Sequence, residues 1–140
     1  MSIGSAKHAV SLSVFFPCFN EQENVSRVVG RAVEVLCGLV ADWEVIVVND
    51  GSADRTGELA DTLAAEHERV RAVHHERNSG YGAALRSGFA AATKQYVFYT
   101  DGDGQFDIAE LDLLLSRRDE ATIISGYRRR RRDSAIRRLN

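Results

Sequence analysis

Two carboxylates one residue apart, Asp101 and Asp103, follow the apolar run Tyr96–Thr100 and flank a glycine. Such a pair can share a divalent cation and its diphosphate ligand. Mg²⁺ prefers oxygen and is commonly held by one or two carboxylates plus substrate phosphates. Gly102 lets the backbone turn sharply and come close to a ligand, and Gln105 and Asp107 stand next in line as neutral or outer contacts. The plainer alternative is a polar turn with two solvated aspartates. An isolated D-x-D does not decide between them.

Other polar clusters divide in the same way. Asn49-Asp50-Gly51-Ser52 is an Asp-Gly turn with a serine helix cap, or it offers a carboxylate to a base N–H. In Pro17-Cys18-Phe19-Asn20-Glu21, Glu21 is a first-turn helix acid favoured by the dipole or a partner for a nucleoside hydroxyl. Phe19 and Pro17 offer an apolar wall for a base. Asn78-Ser79-Gly80-Tyr81-Gly82 starts a G-x-G, but Leu85 occupies the third glycine position, so a dinucleotide fingerprint fails, and no phosphate loop with Lys-Ser/Thr exists. His8, His67, His74 and His75 fit no metal spacing, and the sequence alone assembles no Ser/His/Asp or Cys/His set.

The elements that must position these residues alternate. Ser11–Phe16 reads as a buried strand stopping at Pro17, and Val25, Val28, Val29, Ala32, Val33 and Leu36 mark one face of a helix. Glu44–Val48 is a second strand. A helix through Leu59, Ala60, Leu63 and Ala64 follows, capped by Ser52 or Asp54. Then come strand Val70–His74, helix Gly82–Ala92, strand Tyr96–Thr100, helix Ile108–Leu115 and strand Ala121–Ser125. This alternation predicts an α/β fold, a mostly parallel sheet with helices on both faces. Ligands of such sheets bind outside the carboxyl ends of the strands, where every Gly/Asp/Asn cluster of this chain falls.

The 140 residues suit one domain, and 44% apolar with 27% charged residues is ordinary globular composition. The net charge of −2 is unevenly spread. Seven arginines and one aspartate give residues 128–140 a charge of +6 and leave −8 elsewhere, which suggests an anionic partner near that end and opposes a uniformly basic nucleic-acid binder. The cluster is a solvated segment, a localisation or RNA-binding patch, or a phosphate clamp, the role guanidinium geometry suits best. Cys18 and Cys37 have no metal spacing and are expected to be buried thiols in a reducing compartment. Neither a signal peptide nor an apolar run of membrane-spanning length is present in these residues. A cytoplasmic setting is expected.

In order, P-x-x-N-E, V-x-N-D-G-S-x-D-x-T, N-x-G-x-G-x-A-L-R-x-G-F, D-G-D-G-Q-F-D and G-Y-R-x-x-R-R-D resemble glycosyltransferase family 2. Within it the chain looks most like the polyprenyl-phosphate glycosyltransferases, including dolichyl-phosphate mannose synthases. The resemblance implies a Rossmann-like nucleotide-sugar-binding fold of the type A glycosyltransferase class, use of Mg²⁺ or Mn²⁺, and inversion at the anomeric centre. By position, Pro17, Phe19, Glu21, Asp50 and Asp101 would bind the nucleotide. Asp101 and Asp103 would hold the metal and donor diphosphate with Gln105 beside them, and Asp103 and Arg128 would carry the catalytic roles. Asn49 stands where many members have a first aspartate.

The implied reaction moves a sugar from a GDP- or UDP-sugar to a lipid phosphate, with no nucleic-acid partner and with peripheral association at the cytoplasmic face of a membrane. An ionised phosphate acceptor needs positive charge to hold it more than it needs a base. The alternatives are a saccharide-hydroxyl acceptor and a non-catalytic nucleotide-binding module. A phosphorelay receiver is disfavoured because Asn20-Glu21 with Pro17 replaces its acidic pair. The expected organisation is an extension over 1–10, the nucleotide-sugar domain over 11–127, and the start of an incomplete acceptor half over 128–140.

Overall fold

The computed structural model describes residues 6–126. The chain runs β1 (His8–Cys18), α1 (Val25–Leu39), β2 (Val40–Asn49), α2 (Thr56–Glu66), β3 (Val70–His74), α3 (Tyr81–Ala91), β4 (Tyr96–Tyr99), a 3-10 turn (Ile108–Glu110) and α4 (Leu111–Ser116). It divides into two compact units, Met1–Ala109 and Glu110–Asn140. The first holds a sheet of order β3-β2-β1-β4 with every pair parallel.

Central strands of a parallel sheet are covered on both faces and need continuous apolar runs. Val14-Phe15-Phe16 and Val45-Ile46-Val47-Val48 supply them, all at 2% exposure or less. One face packs Phe15, Ile46 and Val48 against Ala84 of α3, with Val73, Leu85 and Ala91 around them. α3 comes this close because residue 88 is glycine: a Cβ there would stand 2.3 Å from the Phe15 ring. Phe15 also stacks on Tyr99 and meets the edge of Phe89. On the opposite face lie α1 and α2, which touch each other. The stripe Val25, Val28, Val29, Ala32, Leu36 of α1 is buried as its spacing requires.

Several boundaries differ from the sequence expectation. β1 does not stop at Pro17: its parallel register continues through Pro17↔Val48 and Cys18↔Asn49. On the other side β4 has ended opposite Phe15, so the missing N–H of proline breaks no ladder there. β1 also begins at His8, so residues 8–10 belong to the sheet and not to an extension. Ala121–Ser125 is not a strand; it forms no ladder, and Ile123 is 84% exposed. Apolar, β-branched composition favours extended backbone, but a strand also needs a neighbour in register, which composition does not report. The unit boundary at Ala109 likewise falls inside the span expected to be one domain. Arg128 and the rest of the arginine segment lie outside the described residues.

At the amino ends of the strands, Glu44 is a buried polar hub. Its Oε1 accepts from Ser13 Oγ at 2.7 Å, Thr93 N at 2.9 Å and Thr93 Oγ1 at 2.8 Å. Its Oε2 takes Arg71 Nη2 at 2.9 Å. Burial opposes its ionisation, but these donors outweigh burial and hold the carboxyl at about 2. The hub ties the α3–β4 connection to β1 and β2, and so sets where β4 delivers Asp101.

Candidate functional site

The chain leaves β1 for β2 on one side and returns later to β4 on the other, so a crevice opens between the carboxyl ends of β1 and β4. Asp101-Gly102-Asp103 lies in it. A Cβ on Gly102 would stand 2.4 Å from Cys18 Sγ, so only glycine lets this turn pass over the end of β1. The Cys18 thiol is pushed up to about 12, first by burial and then by the charges of Glu21, Asp101 and Asp103. Three carboxylates from two separate loops therefore act on one buried sulfur. Phe98 and Phe106, centroids 5.4 Å apart, anchor both ends of the turn.

Within the turn, Asp103 Oδ1 accepts the Gln105 backbone N–H at 3.0 Å, and Asp101 Oδ1 accepts the Tyr81 hydroxyl at 2.9 Å. Burial, then the hydrogen bond to Asp101, raises the Tyr81 phenol above its ordinary value. Gly104 is at φ +77, and a Cβ there would meet the Arg27 guanidinium at 2.5 Å. Asp107, expected as an outer contact, is engaged elsewhere: its Oδ1 accepts the Ala109 N–H at the start of the 3-10 turn.

Among the described residues, neither Asp101 nor Asp103 forms an ion pair, and no group of three or more His, Cys, Asp or Glu side chains could hold a metal. Two carboxylates without a third protein ligand make an incomplete cage. They fit a hard cation whose other ligands are substrate phosphates and water.

The Asp50 carboxylate is deployed differently. It is 4% exposed and accepts three donors: Ser79 N at 2.8 Å, Gly80 N at 3.0 Å and His75 Nδ1 at 2.7 Å. His75 Nε2 in turn lies 2.7 Å from Ser87 Oγ on α3. Burial works against the Asp50 charge, yet the bonds from His75, Ser79 and Gly80 keep its pKa below the usual value. Asp50 thus clasps the 78–80 loop and does not present an unoccupied carboxylate to the crevice. The Asp50–His75–Ser87 chain was invisible in the sequence because its members lie after β2, after β3, and in α3.

The loop after β1 is fastened to the start of α2 by reciprocal bonds. Asn20 N donates to Ser52 Oγ at 3.0 Å, and Ala53 N to Asn20 Oδ1 at 2.9 Å. Glu21 N donates to Thr56 Oγ1 at 2.8 Å, and Arg55 N to Gln22 Oε1 at 3.1 Å. Asn20 adopts φ 53 to make this fit. Asp54, one residue before the α2 N-cap Arg55, accepts the Thr56 N–H on its Oδ1 at 2.9 Å, and Ser52 serves the loop instead. Glu21 Oε2 accepts from Asn24 Nδ2 at 2.8 Å, which holds the carboxylate at the crevice. Phe19 is 48% exposed and available to a flat ligand, whereas Pro17 is buried and offers mainly its backbone.

Sequence reasoning missed Tyr81 and Arg27. The first was hidden in a glycine-rich helix start that only fails the dinucleotide fingerprint. The second sits on the solvent side of an amphipathic helix, where an arginine draws no notice.

The family model "Glycosyl transferase family 2" matches residues 13–139. The chain belongs to glycosyl transferase family 2. Among curated members, the glycosyltransferase AglD of Haloferax volcanii is 41% identical over 110 residues, 77% of this chain and 18% of that protein. An undecaprenyl-phosphate 4-deoxy-4-formamido-L-arabinose transferase of Pectobacterium carotovorum is 31% identical over 131 residues, 92% of this chain and 40% of its own length. This chain therefore spans well under half of these family members. The solved mannosyltransferase PcManGT of Pyrobaculum calidifontis, in complex with GDP-Man and Mn²⁺, superposes with TM-score 0.66 at 20% identity, over 79% of this chain and 33% of that one. The fold is that of the type A glycosyltransferases.

Proposed function

We propose that this chain carries the nucleotide-sugar-binding part of an inverting, divalent-metal-dependent glycosyltransferase whose acceptor is a polyprenyl phosphate. The observation that carries the reading is the pair Asp101 and Asp103 on the turn that Gly102 carries over Cys18 at the end of β1, with the Asp101 carboxylate exposed. The naming of an undecaprenyl-phosphate transferase among the relatives and of GDP-Man with Mn²⁺ in the PcManGT complex supports it. Mg²⁺ or Mn²⁺ would be held by Asp101 and Asp103, with Gln105 beside them, and would supply charge neutralisation of a leaving nucleoside diphosphate. Phe19 would pack on the base and Glu21 would face a nucleoside hydroxyl. Asp50 would act on the nucleoside through the loop it holds. Arg128 and its neighbours would hold an acceptor already ionised at neutral pH, so positioning replaces general-base catalysis. A lipid acceptor implies work at a membrane surface, the cytoplasmic face being the expected one.

Calorimetric titration with GDP and UDP, with and without Mn²⁺, tests the donor half. Mn²⁺ should strengthen binding, and Asp103→Ala should cancel the gain by removing one of the two carboxylates that would hold the cation. Binding indifferent to both chelator and Asp103→Ala would overturn the metal role. For the acceptor half, the full-length protein is incubated with labelled nucleotide sugar and polyprenyl phosphate. Label should enter the organic phase and be lost with Arg128→Ala. Transfer only to sugar hydroxyls would replace the acceptor, and nucleotide binding without transfer would make the module non-catalytic.

A further inference from the structure

We propose that the Tyr81 hydroxyl is a positioning group for Asp101, fixing the carboxylate in the orientation that receives the cation; this rests on the metal-binding reading above. The hydroxyl donates to Asp101 Oδ1 at 2.9 Å, while the Tyr81 ring is 55% exposed. A ring so exposed adds little to the core, so packing does not account for its placement.

Its position is set instead by the end of β2. Tyr81 is the first residue of α3, directly after Ser79 and Gly80, whose two N–H groups are both bound by the Asp50 carboxylate. Gly80 takes φ +97, which turns the chain into the helix and aims the ring towards the end of β4. The link therefore runs from β2 through the 78–80 loop to the Asp101 turn.

Donor chemistry supports the role. Asp101 is exposed and has no ion-pair partner among the described residues, so without Tyr81 no described group holds its carboxylate. A neutral O–H orients one oxygen yet leaves the other oxygen, and the negative charge, to a cation. A lysine or arginine at this place would compete with the metal. Fixing a ligand before binding lowers the ordering cost paid on binding, and outer partners of metal ligands typically matter by about 10- to 100-fold in metal affinity.

The test uses the full chain and Mn²⁺ with GDP or UDP, reading free Mn²⁺ by electron paramagnetic resonance. Tyr81→Phe removes only the hydroxyl. It should weaken Mn²⁺ retention about 10-fold, with unchanged thermal unfolding and unchanged nucleotide binding in chelator. In an Asp101→Ala background the same substitution should have no further effect, the signature of a coupled pair. Unchanged Mn²⁺ retention in Tyr81→Phe would overturn the inference while leaving the metal reading intact. So would an equal fall in the Asp101→Ala background, or a fall tracking lost thermal stability. A native protein that retains no Mn²⁺ with either nucleotide would overturn both.

Discussion

Two Asp-Gly turns, each just beyond the end of a parallel strand, have opposite fates in this molecule. Asp50-Gly51 follows β2, and its carboxylate is buried under three protein donors. Asp101-Gly102 follows β4, and its carboxylate is exposed with one phenolic donor. Both glycines are required by close approach, but of different kinds. A Cβ on Gly51 would meet the backbone of Arg77 and Asn78 within 2.3 Å, whereas a Cβ on Gly102 would meet the Cys18 side chain. The first turn is locked into the scaffold, and the second rides over it with its acids left for a ligand. An aspartate's role here follows from how many of its lone pairs the protein has already filled.

The largest expected effect separates the two carboxylates. Asp50→Ala strands the Ser79 and Gly80 N–H groups and should lower stability by about 4 kcal/mol in denaturant unfolding. Asp101→Ala should change stability by less than about 0.5 kcal/mol while weakening metal-dependent nucleotide binding. A stable Asp50→Ala protein that fails to bind nucleotide would break the comparison and restore direct base recognition.

The glycines sharpen it. Gly51→Ala, at φ +62 and against backbone, should cost about 3 kcal/mol with no side-chain change able to relieve it. Gly102→Ala should cost about 1–2 kcal/mol and be largely rescued by Cys18→Ala, which removes the sulfur in its way. Thermal melts of the single and double variants decide this.

The smallest effect is on pH dependence. Glu44 has its folded pKa depressed from 4.5 to about 2, so its contribution is fully present above 4.5 and is lost as pH falls towards 2. Asp50 is depressed in the same direction, so its contribution also disappears on acidification. Asp50→Asn should therefore flatten the fall of unfolding free energy below about pH 4. An unaltered acid slope would mean that Asp50 is as open as Asp101.

Much of this was legible in the chain. The runs Val14–Phe16 and Val45–Val48 and the stripe from Val25 to Leu36 declare a buried parallel sheet with an amphipathic helix, because burial on both faces and a 3.6-residue period leave local traces. Asp101 and Asp103 were recognisable from spacing and from their place after a strand. Ala121–Ser125 misled because strand pairing is a property of two segments, and one segment's composition reports only half of it.

The sequence by itself thus determined the fold class, the family, and the strand ends at which chemistry would collect. The tertiary structure alone decided which acids are spent and which are left. Asp50 is spent because β3 and α3 return with His75, Ser79 and Gly80 to its two oxygens. Asp101 and Asp103 are left because β4 brings them to the crevice, where among the described residues no cation pairs with them and a tyrosine from α3 holds only one oxygen. Hydrogen-bond saturation depends on groups distant in the chain and so leaves no local periodicity to read.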